Sequence, residues 1–260
     1  MKPKTISLKK RLRSTSLVLA VLLFSTLHLP LAFGRPVSNN RMSLHPDFLS
    51  STSVSADLTS LELAFSSAYE NLGLAGKGLN RQAFDYAHAG WQKLAAQGKL
   101  TDPSIISIVD FTKPSSEKRL FILDLQNNRI LFNTLVAHGK NTGQEWAKSF
   151  SNTMSSLKSS LGFFVTGSTY MGGNGYSLKL NGMERGINDM ANPRAIVVHG
   201  ADYVSQSFIN ARGFLGRSYG CPAVPANEAQ PIINTIKGGS CLFIYSNDKY
   251  YLSHSSLVNS

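Results

Sequence analysis

The chain has 260 residues, with 26 Lys and Arg against 15 Asp and Glu, a formal net charge of +11. Its 42% hydrophobic content excludes a wholly disordered chain, and its length suits one sizeable core with a small extra segment, not several independent domains. Two cysteines exclude a disulfide scaffold and a four-cysteine zinc site.

The charge is unevenly placed. Six basic residues (Lys2, Lys4, Lys9, Lys10, Arg11, Arg13) fall in the first thirteen positions, and no acidic residue precedes Asp47. An apolar run from Leu17 to Phe24 comes next, then Ser25 to Gly34 with small residues at Ala32 and Gly34. A basic stretch, an apolar stretch and a small-x-small end predict a cleaved secretory signal over 1–34. The unbroken apolar run is short of the ~20 residues a membrane span needs, and His28 and Pro30 interrupt its continuation. Membrane contact is therefore expected only through this segment before cleavage, and the expected location is the periplasm or cell envelope. The remaining residues carry 20 basic against 15 acidic groups, a net +5 that does not point to nucleic acid.

Residues 35–56 are rich in Pro, Ser and Asn without periodicity and read as a linker. Two helical patterns come after it, over 57–100. In the first, Leu58, Leu61, Phe65, Ala68, Tyr69 and Leu72 share one face, with Asp57 as the expected N-cap and Gly73 as the stop. In the second, Ala83, Phe84, Ala87, Trp91, Leu94 and Ala95 repeat the spacing between Asn80 and Gly98. Such stripes read as core, and the pair as a helical hairpin docked on the rest of the chain. From residue 104 the period changes to strands: 105–111, then 119–125 and 129–137 joined across Gln126-Asn127-Asn128 as a hairpin. Residues 139–160 read as loop, and 161–166, 176–180 and 195–199 as further strands. A helix is expected over 227–237, with Pro231 tolerated only within its first turn, and a last strand over 240–246. The expectation is an α+β fold: a mainly β domain over 101–250 behind an N-terminal helical hairpin, with a tail at 251–260.

The chemistry concentrates between Ala195 and Pro222. An apolar strand runs into His199-Gly200, which places an imidazole at a sheet edge; the same pattern suits a hydrogen-bonded structural histidine. Cys221 lies between Gly220 and Pro222. The proline pushes Cys221 toward extended backbone, so the thiol does not open a helix. Gly220 permits positive φ or a tight approach, and the amides of Tyr219, Gly220 and Cys221 are candidates to converge on an oxyanion. A free thiol has a pKa of about 8.5, so a nucleophilic cysteine needs a base, and His199 is the nearest candidate in sequence. A small buried residue is the competing reading of Cys221. Cys241 lies in an apolar strand and reads as core; a Cys221–Cys241 disulfide would block a Cys221 nucleophile. His138-Gly139 ends a strand in the same way as His199-Gly200. Zinc held by His138, His199 and Cys221 is open on ligand count, but no short His/Cys pair supports it, and neither metal nor cofactor is expected. Tyr170, Tyr176 and the glycines at 172, 173 and 175 form either a lid or a plain hairpin loop.

His199-Gly200, a spacer, then Ser218-x-Gly220-Cys221 resembles the L,D-transpeptidase catalytic motif of a His followed by Ser/Thr-His-Gly-Cys. The murein L,D-transpeptidase catalytic-domain branch is most similar. It shares His199-Gly-Ala-Asp-Tyr-Val, Gly216-Arg-Ser-Tyr-Gly-Cys-Pro-Ala, Val136-Ala-His-Gly-Lys, Gly175-Tyr-Ser-Leu and Gly186-Ile-Asn-Asp, across roughly residues 57–250. Two positions depart from the better-known motif: Tyr219 stands where His is usual, and Ala223 where Arg or Asn is common. The spacer after His199 is also slightly longer than usual. The resemblance implies that Cys221 attacks the amide between a diamino-acid residue and the terminal D-Ala of a peptidoglycan tetrapeptide stem. D-Ala leaves, a thioester forms, and an amine acceptor resolves it, with His199 as base and then acid, its ring oriented by a backbone carbonyl such as that of Gly200. It further implies backbone oxyanion contacts at Tyr219, Gly220 and Gly200. Substrate contacts are implied at Ser218, Arg217 and His138, with His138 at the cleft rim; Tyr170 is expected as a further contact on the lid reading of its own segment. Two competing readings are an L,D-carboxypeptidase or endopeptidase, in which water resolves the same acyl-enzyme, and a peptidoglycan-binding module without turnover.

Overall fold

The computed structural model describes residues 47–259. The expected signal at 1–34, and the expected linker as far as residue 46, lie outside the described residues. Within them the elements run α1 (Asp47–Asn71), α2 (Arg81–Ala96), β1 (Ile105–Asp110), β2 (Leu120–Asp124), β3 (Arg129–Thr134), β4 (Gly162–Gly172), β5 (Gly175–Gly182), β6 (Val197–Ala201), α3 (Gln206–Arg212), β7 (Ala223–Pro225), α4 (Ala226–Ile236), β8 (Cys241–Tyr245) and α5 (Lys249–His254). The fold is α+β and mainly β, as expected.

All eight strands form one sheet in the order β3-β2-β1-β8-β4-β5-β6-β7. Its pairings are antiparallel except β1 with β8 and β6 with β7. Every residue of β1, β2 and β8 is buried, so these central strands are covered on both faces. That explains why they read as continuous apolar runs rather than alternating ones. The β2–β3 turn closes where expected. Asp124 accepts hydrogen bonds from the Asn127 amide (3.0 Å) and the Arg129 guanidinium (3.0 Å), and Asn128 takes φ +47°.

The two N-terminal stripes are core. Phe65 of α1 meets Phe84 and Trp91 of α2 edge-on, at 5.1 and 5.3 Å between ring centroids. The Trp91 indole N–H donates to the Pro103 carbonyl (2.9 Å), fixing α2 over the start of β1. Asn80 caps α2 as expected, through Gln82 and Ala83.

Four expectations need correction. Residues 47–56 of the expected linker belong to α1, so Asp57 lies inside a helix and caps nothing. Ser and Thr there disguise the helix, because they favour caps and turns in isolation. Pro231 falls in the second turn of α4 rather than the first. Helix α3, strand β7 and helix α5 are too short to show a period. Lastly, 251–260 is no tail. Tyr251, Leu257 and Val258 are buried, and the Lys93 ammonium donates to the Ser256 carbonyl (2.9 Å). Buried Glu184, whose carboxyl is pushed up by burial, ties this segment to the sheet. It accepts from the Phe163 amide (2.7 Å), the Tyr251 hydroxyl (3.4 Å) and the Ser255 hydroxyl.

Deleting residues 251–260 is expected to lower stability by about 3–5 kcal/mol, on the scale of losing one large buried side chain and exposing its neighbours. Urea unfolding of the deletion variant beside the full chain measures this; an unchanged midpoint would show the segment to be dispensable.

Candidate active site

The register of the last two strands assembles the site. His199 of β6 pairs with Ala223 of β7 in parallel, Gly200 with Val224 and Ala201 with Pro225. Cys221 lies two residues before Ala223, so the pairing carries it to the flank of β6. There the thiol approaches the Ala195 carbonyl at 3.7 Å. His199 and Cys221 line one cavity of about 230 Å³ together with Asn174, Tyr203, Arg217, Ser218 and Tyr219.

His199 is buried and well oriented. Its Nδ1 lies 2.9 Å from the Gly200 carbonyl. A carbonyl only accepts, so Nδ1 carries the proton and Nε2 is left with its lone pair, the tautomer a general base requires. Burial lowers the imidazole pKa below its ordinary value, and the Gly200 bond opposes this. Gly200 also allows α4 to lie close on β6: a Cβ there would stand 2.8 Å from the Ala229 Cβ. Gly200 therefore acts through its carbonyl on His199 and through its lack of a side chain. It is not among the residues lining the cavity.

The turn carrying Cys221 is stitched on three sides. The Ser218 amide donates to the His138 carbonyl (3.0 Å), the Lys140 amide to the Ser218 carbonyl (2.7 Å) and the Ala137 amide to the Ala223 carbonyl (2.8 Å). The Ser218 hydroxyl donates to the Cys221 carbonyl (2.6 Å) and accepts from the Gly220 amide (3.1 Å). The Ser218 hydroxyl closes the turn while the residue also lines the cavity, and the Gly220 amide is occupied by that hydroxyl, which corrects its expected place as an oxyanion donor. Gly220 has φ +126°, a conformation L side chains rarely adopt, and a Cβ there would lie 2.8 Å from the Lys158 carbonyl.

His138 is the largest departure. It is fully buried and does not line the cavity. Its Nδ1 lies 2.9 Å from an Arg119 guanidinium nitrogen, which can only donate, and its Nε2 is 3.3 Å from the Gly143 carbonyl. Burial first and the Arg119 charge second hold its pKa down at about 3. Arg119 is itself buried and donates to the Val136 (2.8 Å) and Lys113 (2.9 Å) carbonyls. His138 thus supports the turn from beneath rather than standing at the rim, and the His138–His199–Cys221 set is not assembled. Among the described residues no group of three His, Cys, Asp or Glu could hold a metal.

Arg217 lines the cavity and donates to the Gly143 carbonyl at 3.3 Å. Tyr170 does not line it; its ring lies under the Lys179 ammonium, 5.8 Å from the centroid. The glycine-rich segment is a hairpin turn between β4 and β5, and its tip contributes Asn174. Asn174 and Tyr203 were not singled out by sequence, because nothing local marks a loop residue that reaches a distant cavity. Burial raises the Cys221 thiol pKa, opposed by the Val197 amide and the Arg194 charge. Cys241 is a free thiol at the centre of the sheet, and burial pushes its pKa up much further.

The family model for the L,D-transpeptidase catalytic domain matches residues 75–245. The chain belongs to the L,D-transpeptidase catalytic-domain family. The match runs from before α2 to the end of β8 and includes His199 and Cys221. No curated protein sequence matches this family member. Solved structures similar to it include an L,D-transpeptidase from Mycobacterium smegmatis, at 10% identity and TM-score 0.34, covering 55% of this chain and 59% of that one. The helical cell shape determining protein Pgp2 (K307A mutant) from Campylobacter jejuni is similar at 13% identity and TM-score 0.38, covering 66% and 58%. An L,D-transpeptidase from Stackebrandtia nassauensis is similar at 13% identity and TM-score 0.33, covering 65% and 69%. The chain thus spans about six tenths of the length of the first two.

Native alkylation of this L,D-transpeptidase family member with iodoacetamide is expected to modify Cys221 and leave Cys241 untouched, read by peptide mass mapping. Gly220→Ala is expected to cut the Cys221 alkylation rate at least about tenfold, because the φ and the Lys158 contact both forbid the native turn. An unchanged rate in a folded Gly220→Ala variant would show that the turn geometry is not what presents the thiol.

Proposed function

We propose that this protein is an exported peptidoglycan L,D-transpeptidase in which Cys221 forms a thioester acyl-enzyme and His199 is the general base. The observation that carries the reading is the shared cavity: a thiol and an imidazole of the required tautomer line one space, with the other ring nitrogen held by Gly200. The family membership and the geometry of the turn support it.

The donor is a stem tetrapeptide ending in D-Ala. Cys221 Sγ attacks the carbonyl carbon of the amide before D-Ala as His199 Nε2 takes the thiol proton. The backbone of the Tyr219–Cys221 turn is the oxyanion-stabilising element of this reading. As the carbon–nitrogen bond breaks, the imidazolium returns the proton to the departing amine of D-Ala. A side-chain amine from a neighbouring stem then attacks the thioester, losing its proton to His199, and the thiol is released with that proton. Burial lowers the pKa of His199 and raises that of Cys221, so at pH 7 the resting pair is neutral imidazole and neutral thiol. The thiolate is generated during attack rather than stored. Arg217 is the charged residue in the lining and suits a carboxylate of the stem.

Export is supported by the basic, then apolar, first 34 residues. Among the described residues no helix is long and apolar enough to cross a membrane.

Incubation with a purified disaccharide-tetrapeptide, followed by mass spectrometry, tests the reading. Cross-linked dimer with release of D-Ala is expected from the full chain. Cys221→Ala should abolish it, and His199→Ala should reduce it by about 10²–10⁴-fold. Tripeptide without dimer would assign the acyl-enzyme to hydrolysis instead, and neither product in a folded chain would overturn an enzymatic role. The pH dependence is set by His199. Its base form must be neutral and its pKa lies below the ordinary 6.5, so kcat/KM should hold as pH falls through 6.5 and decline only below it. An acid limb centred above pH 7 would exclude a buried neutral imidazole as the base.

A further inference from the structure

Arg194 is a half-buried cation outside the sequence motif, and among the described residues it pairs with no carboxylate. The bonds of its two terminal nitrogens go to neutral acceptors. Nη1 donates to the Ser151 carbonyl (2.7 Å) and the Ser160 hydroxyl (2.6 Å), and Nη2 to the Lys158 carbonyl (2.6 Å) and the Ser156 hydroxyl (3.1 Å). All four acceptors belong to one irregular segment, 151–160, in which Ser155 and Leu157 take φ +56° and +55°. A segment without ladder bonds needs partners for its backbone groups, and the planar guanidinium fork supplies several at once.

That segment abuts the Cys221 turn. The Ser159 hydroxyl donates to the Gly220 carbonyl (3.1 Å). A Cβ built on Gly220 would lie 2.8 Å from the Lys158 carbonyl and 3.5 Å from Arg194 Nη2, so guanidinium, Lys158 and Gly220 stack in contact. The residue after Arg194 is Ala195, whose carbonyl the thiol approaches at 3.7 Å. Bonds to neutral acceptors leave the charge of Arg194 unneutralised, and its burial carries a desolvation cost that a neutral side chain would avoid. A thiolate forming at Cys221 is the neighbouring group whose charge Arg194 can offset.

Resting on the Cys221 reading above, we propose that Arg194 is a positioning residue for the thioester chemistry: it clamps segment 151–160 against the Gly220–Cys221 backbone and places a permanent positive charge beside the reacting sulfur. Burial raises the Cys221 thiol pKa and the Arg194 charge opposes this; burial lowers the pKa of Arg194 and the Cys221 charge opposes that. Among the described residues the other titratable or charged groups lining the cavity are His199 on β6, Tyr203 before α3, and Arg217 and Tyr219 on the Cys221 turn, with no carboxylate among them.

The test is the pH dependence of Cys221 alkylation by iodoacetamide in the full chain, read by mass mapping, beside thermal melting. Arg194→Gln removes the charge and keeps some hydrogen bonding. Its alkylation midpoint is expected to rise by about 1 pH unit, the scale of losing one nearby opposite charge. Arg194→Lys keeps the charge without the fork, and its midpoint should stay within about 0.3 unit of the parent while its melting temperature falls. A folded Arg194→Gln variant with the parental midpoint would overturn the proposal, since a purely structural arginine leaves the midpoint alone. If Arg194→Gln does not fold, Arg194→Met, which keeps an unbranched stem and removes the charge, is read in its place: a raised midpoint supports the charge, and a parental one overturns it. Absence of alkylation and of product in the parent chain would instead sink the transpeptidase reading itself, which keeps the two failures distinct.

Discussion

The parallel pairing of His199 with Ala223 is the constraint on which the site depends. Side chains alternate along a strand, so a slip of one residue would turn Cys221 from the cavity to the opposite face. The pairing is only three residues long, too short to hold itself by its own ladder. What holds it is the surrounding stitch: Ala137 bonded to Ala223, His138 and Lys140 bonded to Ser218, and helix α4 lying on Gly200. The buried Arg119–His138 pair sits beneath this stitch and keeps residues 136–138 in place.

The two histidines at strand ends show how one local pattern serves opposite ends. Each is followed by glycine and each is buried. Yet Arg119 donates to Nδ1 of His138, while Nδ1 of His199 itself donates to a carbonyl. The first ring is held neutral by burial and a neighbouring cation, with both nitrogens engaged. The second keeps Nε2 in a cavity beside a thiol. Their chemistry differs because of what packs against them, not because of their neighbours in sequence.

The turn at Cys221 divides its polar groups in the same way. Ser218 uses its hydroxyl to close the turn, which occupies the Gly220 amide. Tyr219, where the better-known motif has histidine, is 72% exposed, so exchanging that side chain leaves the internal bonding of the turn untouched. The segment at 151–160 reads in sequence as featureless loop, yet it forms the wall behind Gly220, and Arg194 holds it.

The α+β class, the two helical stripes of the N-terminal hairpin, the buried central strands, the cap at Asn80 and the choice of His199 with Cys221 as the candidate chemistry are all legible along the chain. Each of these is local: a period, a cap, a turn residue or a motif registers within a few positions. Long-range packing settles the rest. It made residues 251–258 part of the core, sent His138 inward, used the Ser218 hydroxyl and the Gly220 amide up inside the turn, left Tyr170 away from the cavity, and brought Asn174, Tyr203 and Arg194 to the site. The reason is physical: whether a polar group faces a ligand or a neighbour depends on which distant donor or acceptor reaches it first, and that is fixed by strand register and burial, which no local pattern records.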